Sequence, residues 1–218
     1  MKFKFDICVP LPEKLYLACS GGMDSMVFLH FLLQSRRDVI CLYFNHGTSF
    51  GDHSEAFLRA SLGTMGPKLI CGRLRGSAPK GCSREDFWHK RRYAFFDGFC
   101  DRNIVTCHHL NDQIETFLQG LSKGKSDRLI PLKRRGHFPS NATYIRPFIN
   151  VPRDHIVKYA ERHSVRYMCD PSNLNVCYTR NRIRHNVIPE LLKINPGLYK
   201  SLKAFFNSHY DKQKNMRS

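Results

Sequence analysis

The sequence holds no apolar run long enough to cross a bilayer, and this excludes a helical membrane span. Its start, MKFKFDICVPLPEK, places charges and prolines where a secretory signal needs an unbroken apolar core. Together these predict a cytoplasmic protein with no membrane partner. The nine cysteines are odd in number, scattered, and never form a C-x-x-C pair. That spacing speaks against a zinc or iron–sulfur site built on short repeats and predicts reduced thiols used as small hydrophobes. Acids are also scarce: 18 Asp and Glu stand against 35 Lys and Arg, a formal net charge of +17. A polyanionic partner is implied, nucleic acid before membrane. Neither the P-loop string G-x-x-x-x-G-K-[ST] nor the dinucleotide string G-x-G-x-x-G is present at the first strand-to-helix turn.

What is present is an alternation of strand and helix over 218 residues. Buried strands are expected at 14–19, 39–45, 68–74 and 103–109, with helices at 24–34, 54–62, 84–99 and 112–121. KGKSDRLIPLKRRGHFPSNATY then reads as a long loop, before a fifth strand near Tyr144–Phe148. Helices follow at 153–163 and 182–192, and a polar, frayed tail is expected from Tyr210. This predicts an α/β fold, a parallel five-stranded sheet with helices on both faces. Residues 1–150 are expected to form the nucleotide-binding α/β part, and 151–218 a helical extension packed on it.

The most specific local string is LACSGGMDSMVFLH, Leu17–His30. Gly21 and Gly22 let backbone N–H groups crowd around an anion, and the helix that follows points its positive end there. Ser20 and Ser25 add hydroxyl donors, and Asp24 can hold a divalent cation that bridges phosphates. The string SGG-x-DS resembles the PP-loop of ATP pyrophosphatases. The resemblance implies that Ser20, Gly21, Gly22, Asp24 and Ser25 bind ATP, with Mg²⁺ on Asp24.

Three further stretches narrow the resemblance: REDFWHKRRYAFF, CHHLNDQIETFL, and CDPSNLNVCYTRNRIRHNVIPELL. Together they are similar to the tRNA(Ile)-lysidine synthetase family, with its H-H-x-D-D-Q-x-E-T, D-P-S-N and Y-x-R-N-R-I-R-H patterns. The resemblance runs from about Leu15 to Leu192. It implies adenylation of the C2 oxygen of the wobble cytidine in a CAU-anticodon tRNA(Ile), then displacement of AMP by the ε-amine of free L-lysine. By the same resemblance Asp112, Glu115, Asp170 and Asn173 bind the lysine. Asp112 and Glu115, three apart, share one helical face. Arg92 would stabilise charge on the α-phosphate, and His108 and His109 sit where a contact to a phosphate or to a proton in transfer is useful. Asp24, Arg92, His108, Asp112 and Glu115 are the catalytic candidates. Arg180, Arg182 and Arg184, with Asn181 and His185, read either as a capped helix with a solvated basic face or as contacts to tRNA or ATP.

The sequence also departs from the family pattern. Asn111 stands where the first of two adjacent acids is expected, and His89 where the first arginine of E-x-x-x-R-x-x-R-Y belongs. Relatives continue into further helical and tRNA-binding domains, so the chain reads as a minimal form confined to the catalytic domain. Its basic segment from Val151, with 13 basic and 5 acidic residues, is expected to grip tRNA in their place. The sequence is also compatible with two rival functions: tRNA thiolation through a persulfide on Cys107 or Cys169, and a non-catalytic tRNA-binding remnant. The sequence leaves the oligomeric state open.

Overall fold

A computed structural model describes residues 4–99, 103–124, 135–137, 143–174 and 176–215. The strands are β1 (Lys14–Ala18), β2 (Asp38–Asn45), β3 (Lys68–Arg73), β4 (Asn103–Val105), β5 (Arg135–His137) and β6 (Thr143–Ile145). They form one sheet in the order β3-β2-β1-β4-β6-β5. All neighbours are parallel except β5 against β6. The five parallel strands are the expected ones. The antiparallel edge strand β5 is an addition, lying within the segment read as loop. The rest of that segment, 125–134 and 138–142, falls outside the described residues.

The helices are α1 (Met23–Gln34), α2 (Ser49–Met65), α3 (Arg84–Asp97), α4 (Leu110–Ser122), α5 (Arg153–Arg162), α6 (Thr179–Arg182), α7 (Ile188–Ile194) and α8 (Leu198–Asn215). Helix α2 begins five residues before the expected Ser54, because the Thr48 side chain accepts the Gly51 N–H and caps it there. The strands alternate sides as a half-buried pleat requires. Leu15 and Leu17 of β1 pack with Met26, Phe28 and Leu32 of α1, Leu58 and Leu62 of α2, and Ile156 and Tyr159 of α5. Tyr16 and Ala18 turn to the opposite face, where Phe96 and Tyr93 of α3 cover Leu42 and Ile104.

The C-terminal region departs most from expectation. The single helix expected at 182–192 is three pieces: α6, one π turn over Ile183–Val187, and α7. Pro189 has no N–H to return to the carbonyl four residues back, and the coil widens just before it. The tail is helical well past Tyr210, because α8 lays Tyr199, Leu202, Phe206 and Tyr210 against Leu110, Ile114 and Phe117 of α4. No helix among the described residues is long and apolar enough to cross a membrane.

Candidate active site

The strand order reverses between β1 and β4, and ligands of open parallel sheets bind at the carboxyl ends of strands beside such a switch. A cleft of about 450 Å³ opens there. Its floor is the turn from β1 into α1. Gly21 adopts φ +81°, a left-handed conformation that favours glycine. Gly22, at the N-cap, has no side chain to satisfy the first amides of α1, which are left available to an anion. Ser25 Oγ donates to the Gly22 carbonyl at 2.9 Å and lies 3.3 Å from Ser20 Oγ, fixing both hydroxyls at the cleft.

The loop that carries Asp170 is tied to this turn main chain to main chain. Met168 N–H donates to the Gly21 carbonyl at 2.8 Å, and Met168 pairs with Gly22 as an isolated parallel bridge. Asp170, two residues on, thereby lines the same cleft. Asn173 is exposed, and its carbonyl lies 3.0 Å from His185 Nε2.

Behind the phosphate turn lies His109, 1% exposed, between two carboxylates. Its Nε2 is 3.6 Å from Asp24 Oδ2 and 3.3 Å from Asp112 Oδ2. Burial opposes its protonation, but Asp112 and then Asp24 outweigh that, and its pKa lies above the ordinary histidine value. Burial also opposes the Asp112 charge, yet His109 and Arg180 hold this carboxyl below the usual range. Asp112 reaches back from the first turn of α4 to accept the His109 N–H at 2.9 Å.

His108 faces the opposite electrostatic environment. Burial, then Arg146, drives its pKa down to about 3. Arg146 Nε donates to His108 Nδ1 at 3.2 Å. A guanidinium can only donate, so Nδ1 is bare and the hydrogen sits on Nε2. His108, a cleft-lining residue, is therefore a neutral hydrogen-bond donor at physiological pH rather than a proton acceptor.

The acids of α4 are not idle. Glu115, with no side-chain exposure, accepts Arg180 Nε at 2.6 Å and Arg184 Nε at 2.7 Å, and Arg180 Nη2 also reaches Asp112 Oδ1. Two of the three arginines read as contacts to tRNA thus turn inward on the two acids read as lysine ligands. Arg182 is exposed. Asn111 is a connector: its Oδ1 accepts the Arg153 N–H that opens α5, and its Nδ2 donates to the Tyr199 hydroxyl of α8. His89 is exposed against the Tyr93 ring.

The far wall is aromatic. His46 stacks on Trp88, ring centroids 5.0 Å apart, and both line the cleft with Tyr93, Phe96 and Arg92. Burial, then Arg92, lowers the His46 pKa to about 4, so this imidazole is neutral and Arg92 carries the charge of the wall. The sequence reading missed His46, Trp88, Thr106 and Arg146. His46 had a usable signal, since it follows the carboxyl end of β2. Arg146 had none, because its role depends on His108 in another strand's loop.

The fit to Mg²⁺ rests on Asp24. Its Oδ1 is buried with no hydrogen-bond partner. Among the described residues no group of three or more His, Cys, Asp or Glu is placed to hold a metal ion. One carboxylate, with phosphates and water completing the shell, suits Mg²⁺, which keeps most of its waters.

The PP-loop domain family matches residues 6–191. The chain is 33% identical over 203 residues to a tRNA(Ile)-lysidine synthase of Lactiplantibacillus plantarum, covering 88% of this chain and 45% of that one. It is 29% identical over 198 residues to the tRNA(Ile)-lysidine synthase of Nitrosomonas europaea, covering 87% and 43%. The chain therefore spans under half the length of these curated relatives. Among solved structures, the U34-tRNA thiolase NcsA from Methanococcus maripaludis with its [4Fe-4S] cluster superposes with a TM-score of 0.74 at 16% identity. That likeness covers 94% of this chain and 73% of the thiolase, and it concerns the fold.

Proposed function

Because the chain belongs to the PP-loop domain family, we propose that its cleft binds ATP and activates the C2 oxygen of the wobble cytidine in a CAU-anticodon tRNA(Ile) for attack by free L-lysine. The product is lysidine, with AMP and pyrophosphate released. One observation carries this reading: His109 joins the phosphate turn, through Asp24, to a pair of acids at the start of α4. A nucleotide site thus adjoins two carboxylates that hold guanidinium groups, which a cationic amine would have to displace.

The residues divide the work. The Ser20–Ser25 turn holds the phosphates, and Asp24 would hold Mg²⁺, which when bound neutralises phosphate charge. Arg92 and the Nε2–H of His108 offer donors on the cleft side where an α-phosphate or a cytidine carbonyl oxygen gains charge. Asp112, Glu115, Asp170 and Asn173 receive the amino acid. The chain's own arginines occupy Asp112 and Glu115 until lysine competes for them. His108 stays neutral, so the proton lost by the attacking amine goes to water, phosphate or a carboxylate.

Sulfur transfer through Cys107 finds less support, whereas Cys169, the other thiol read as a persulfide carrier, is exposed. Burial pushes the Cys107 thiol well above its ordinary pKa, and a protonated thiol is a poor nucleophile. The decisive experiment combines the protein with ATP, Mg²⁺, lysine and a CAU-anticodon tRNA, then weighs the modified cytidine. A mass gain equal to lysine less water is expected. A gain matching sulfur for oxygen would favour thiolation, and tRNA binding without product would favour a remnant.

A further inference from the structure

A second groove, of about 330 Å³, lies on the other side of α3, in the volume range of small-ligand sites. Its floor is Phe44 and Phe95, and its rim carries Arg73, Arg75 and Arg91. Phe44 lies on the partition, since it faces both this groove and the main cleft. Arg91 and Arg92, adjacent in α3, serve the two sides separately: Arg91 the groove, Arg92 the cleft.

The groove is built around one glycine. A Cβ at Gly72 would lie 2.5 Å from Phe95 Cδ2, so only glycine lets that ring rest on the β3 main chain. The ring is then half-buried, and the arginines line the same groove. Arg73 is anchored by Asp52 at 2.7 Å. Arg91 lies over the Phe87 ring, 5.5 Å from its centroid, and both Arg75 and Arg91 are exposed.

We infer that this groove is a second nucleotide subsite, taking a nucleotide that flanks the base held in the main cleft. Aromatic floor plus arginine rim is the composition that binds a single-stranded polynucleotide, stacking on the rings and charge on the guanidinia. A free anion would leave the rings without a role, and a lipid surface would need a larger apolar face. Arg180 and Arg184, turned inward on Glu115, leave phosphate contacts to be made elsewhere, and this rim adjoins the cleft. The identity of the RNA rests on the proposed function, whereas the site itself rests on the groove.

The test is binding of a labelled CAU anticodon stem-loop to the full chain, by fluorescence anisotropy across a salt series, for wild type and for Arg75→Ala/Arg91→Ala. Both arginines are exposed, so the fold should survive, and a lysine pair at the same positions is the control. Two phosphate contacts should lower the slope of log K against log salt by about 1.4, at roughly 0.7 per single-stranded phosphate. Affinity should fall at least tenfold, ATP affinity should hold, and the lysine pair should restore most of the slope. An unchanged slope and affinity, with wild type still binding RNA, would overturn the subsite alone. An equal loss for heparin would reduce the rim to generic charge and overturn a nucleotide site. A wild type that binds no RNA would sink both this inference and the proposed function.

Discussion

Two residues of the site carry separable consequences. Asp24 sits in the phosphate turn with one oxygen unpartnered. Asp24→Asn should abolish single-turnover AMP formation while leaving anticodon stem-loop affinity within about threefold, since base and phosphate contacts of the RNA lie elsewhere. Parallel losses in both assays would count against the assignment. Glu115 is the buried centre of a network with two arginines. Glu115→Gln leaves both cations with half a partner. The loss should be about 3 kcal/mol in urea unfolding, the low end for breaking a buried pair, because Arg180 is 44% exposed and can be re-solvated. The lysine requirement should rise by one to two decades if the same carboxylate holds the amino acid, at about 1.5–3 kcal/mol per charged contact. A variant as stable as wild type, with the same lysine dependence, would remove Glu115 from both roles.

At the scale of elements, the strands and helices that build the nucleotide site were legible because their signals are local. The SGG-x-DS turn, the apolar runs of β1 to β4 and the amphipathic α5 each fall within one window of sequence. What was not legible depended on distance along the chain. The Arg180–Glu115 contact joins residues 65 apart, so acids on a helix face and arginines on another read as two independent surfaces. Asn111 read as a missing acid, whereas its amide ties α4 to α5 and α8. Strand β5 lay in a stretch whose Gly, Pro and Ser content reads as loop. Helix α8 did have a signal, apolar residues at 199, 202, 206 and 210, masked by the polar residues around them. Its anchor is Phe206, fully buried against α4. Phe206→Ala should cost about 3–5 kcal/mol, lowering the unfolding midpoint of the whole chain in one transition. A separate early transition, with the main one unmoved, would show α8 to be an independent appendage.

For the whole molecule, the histidines set how stability responds to acid. His46 and His108 have folded pKa values of about 4 and about 3, against about 6.5 in an unfolded chain. Below pH 6.5 the unfolded state takes up protons that the folded state refuses, so stability falls as pH drops. Each of the two histidines contributes about 1.4 kcal/mol per pH unit, until the folded groups titrate near pH 4 and pH 3. His46→Phe should flatten the measured slope by about 1.4 kcal/mol per pH unit just below pH 6. It should do so at little cost at pH 8, because the His46 Nδ1 is buried without a partner. Denaturant titrations from pH 8 to pH 4 measure this, and equal slopes in the two proteins would show that His46 is solvated.

The bond between Met168 N–H and the Gly21 carbonyl joins the two halves of the proposed reaction by backbone alone. Side chains can change rotamer to meet a shorter or longer partner, but two main-chain segments held as a parallel bridge cannot. Under the proposed function the cleft would therefore work as a ruler. Anchored near Asp170, an amino acid must have a side chain of one particular reach to place its terminal amine at an activated base. Ornithine, one methylene shorter than lysine, carries the same charges and should bind with a similar KM. Its amine would stop about 1 Å short, and such a misplacement costs on the order of 10²-fold in turnover. A loss confined to kcat would mark selection by length, whereas a rise in KM with kcat preserved would show that the cleft sorts amines by affinity instead.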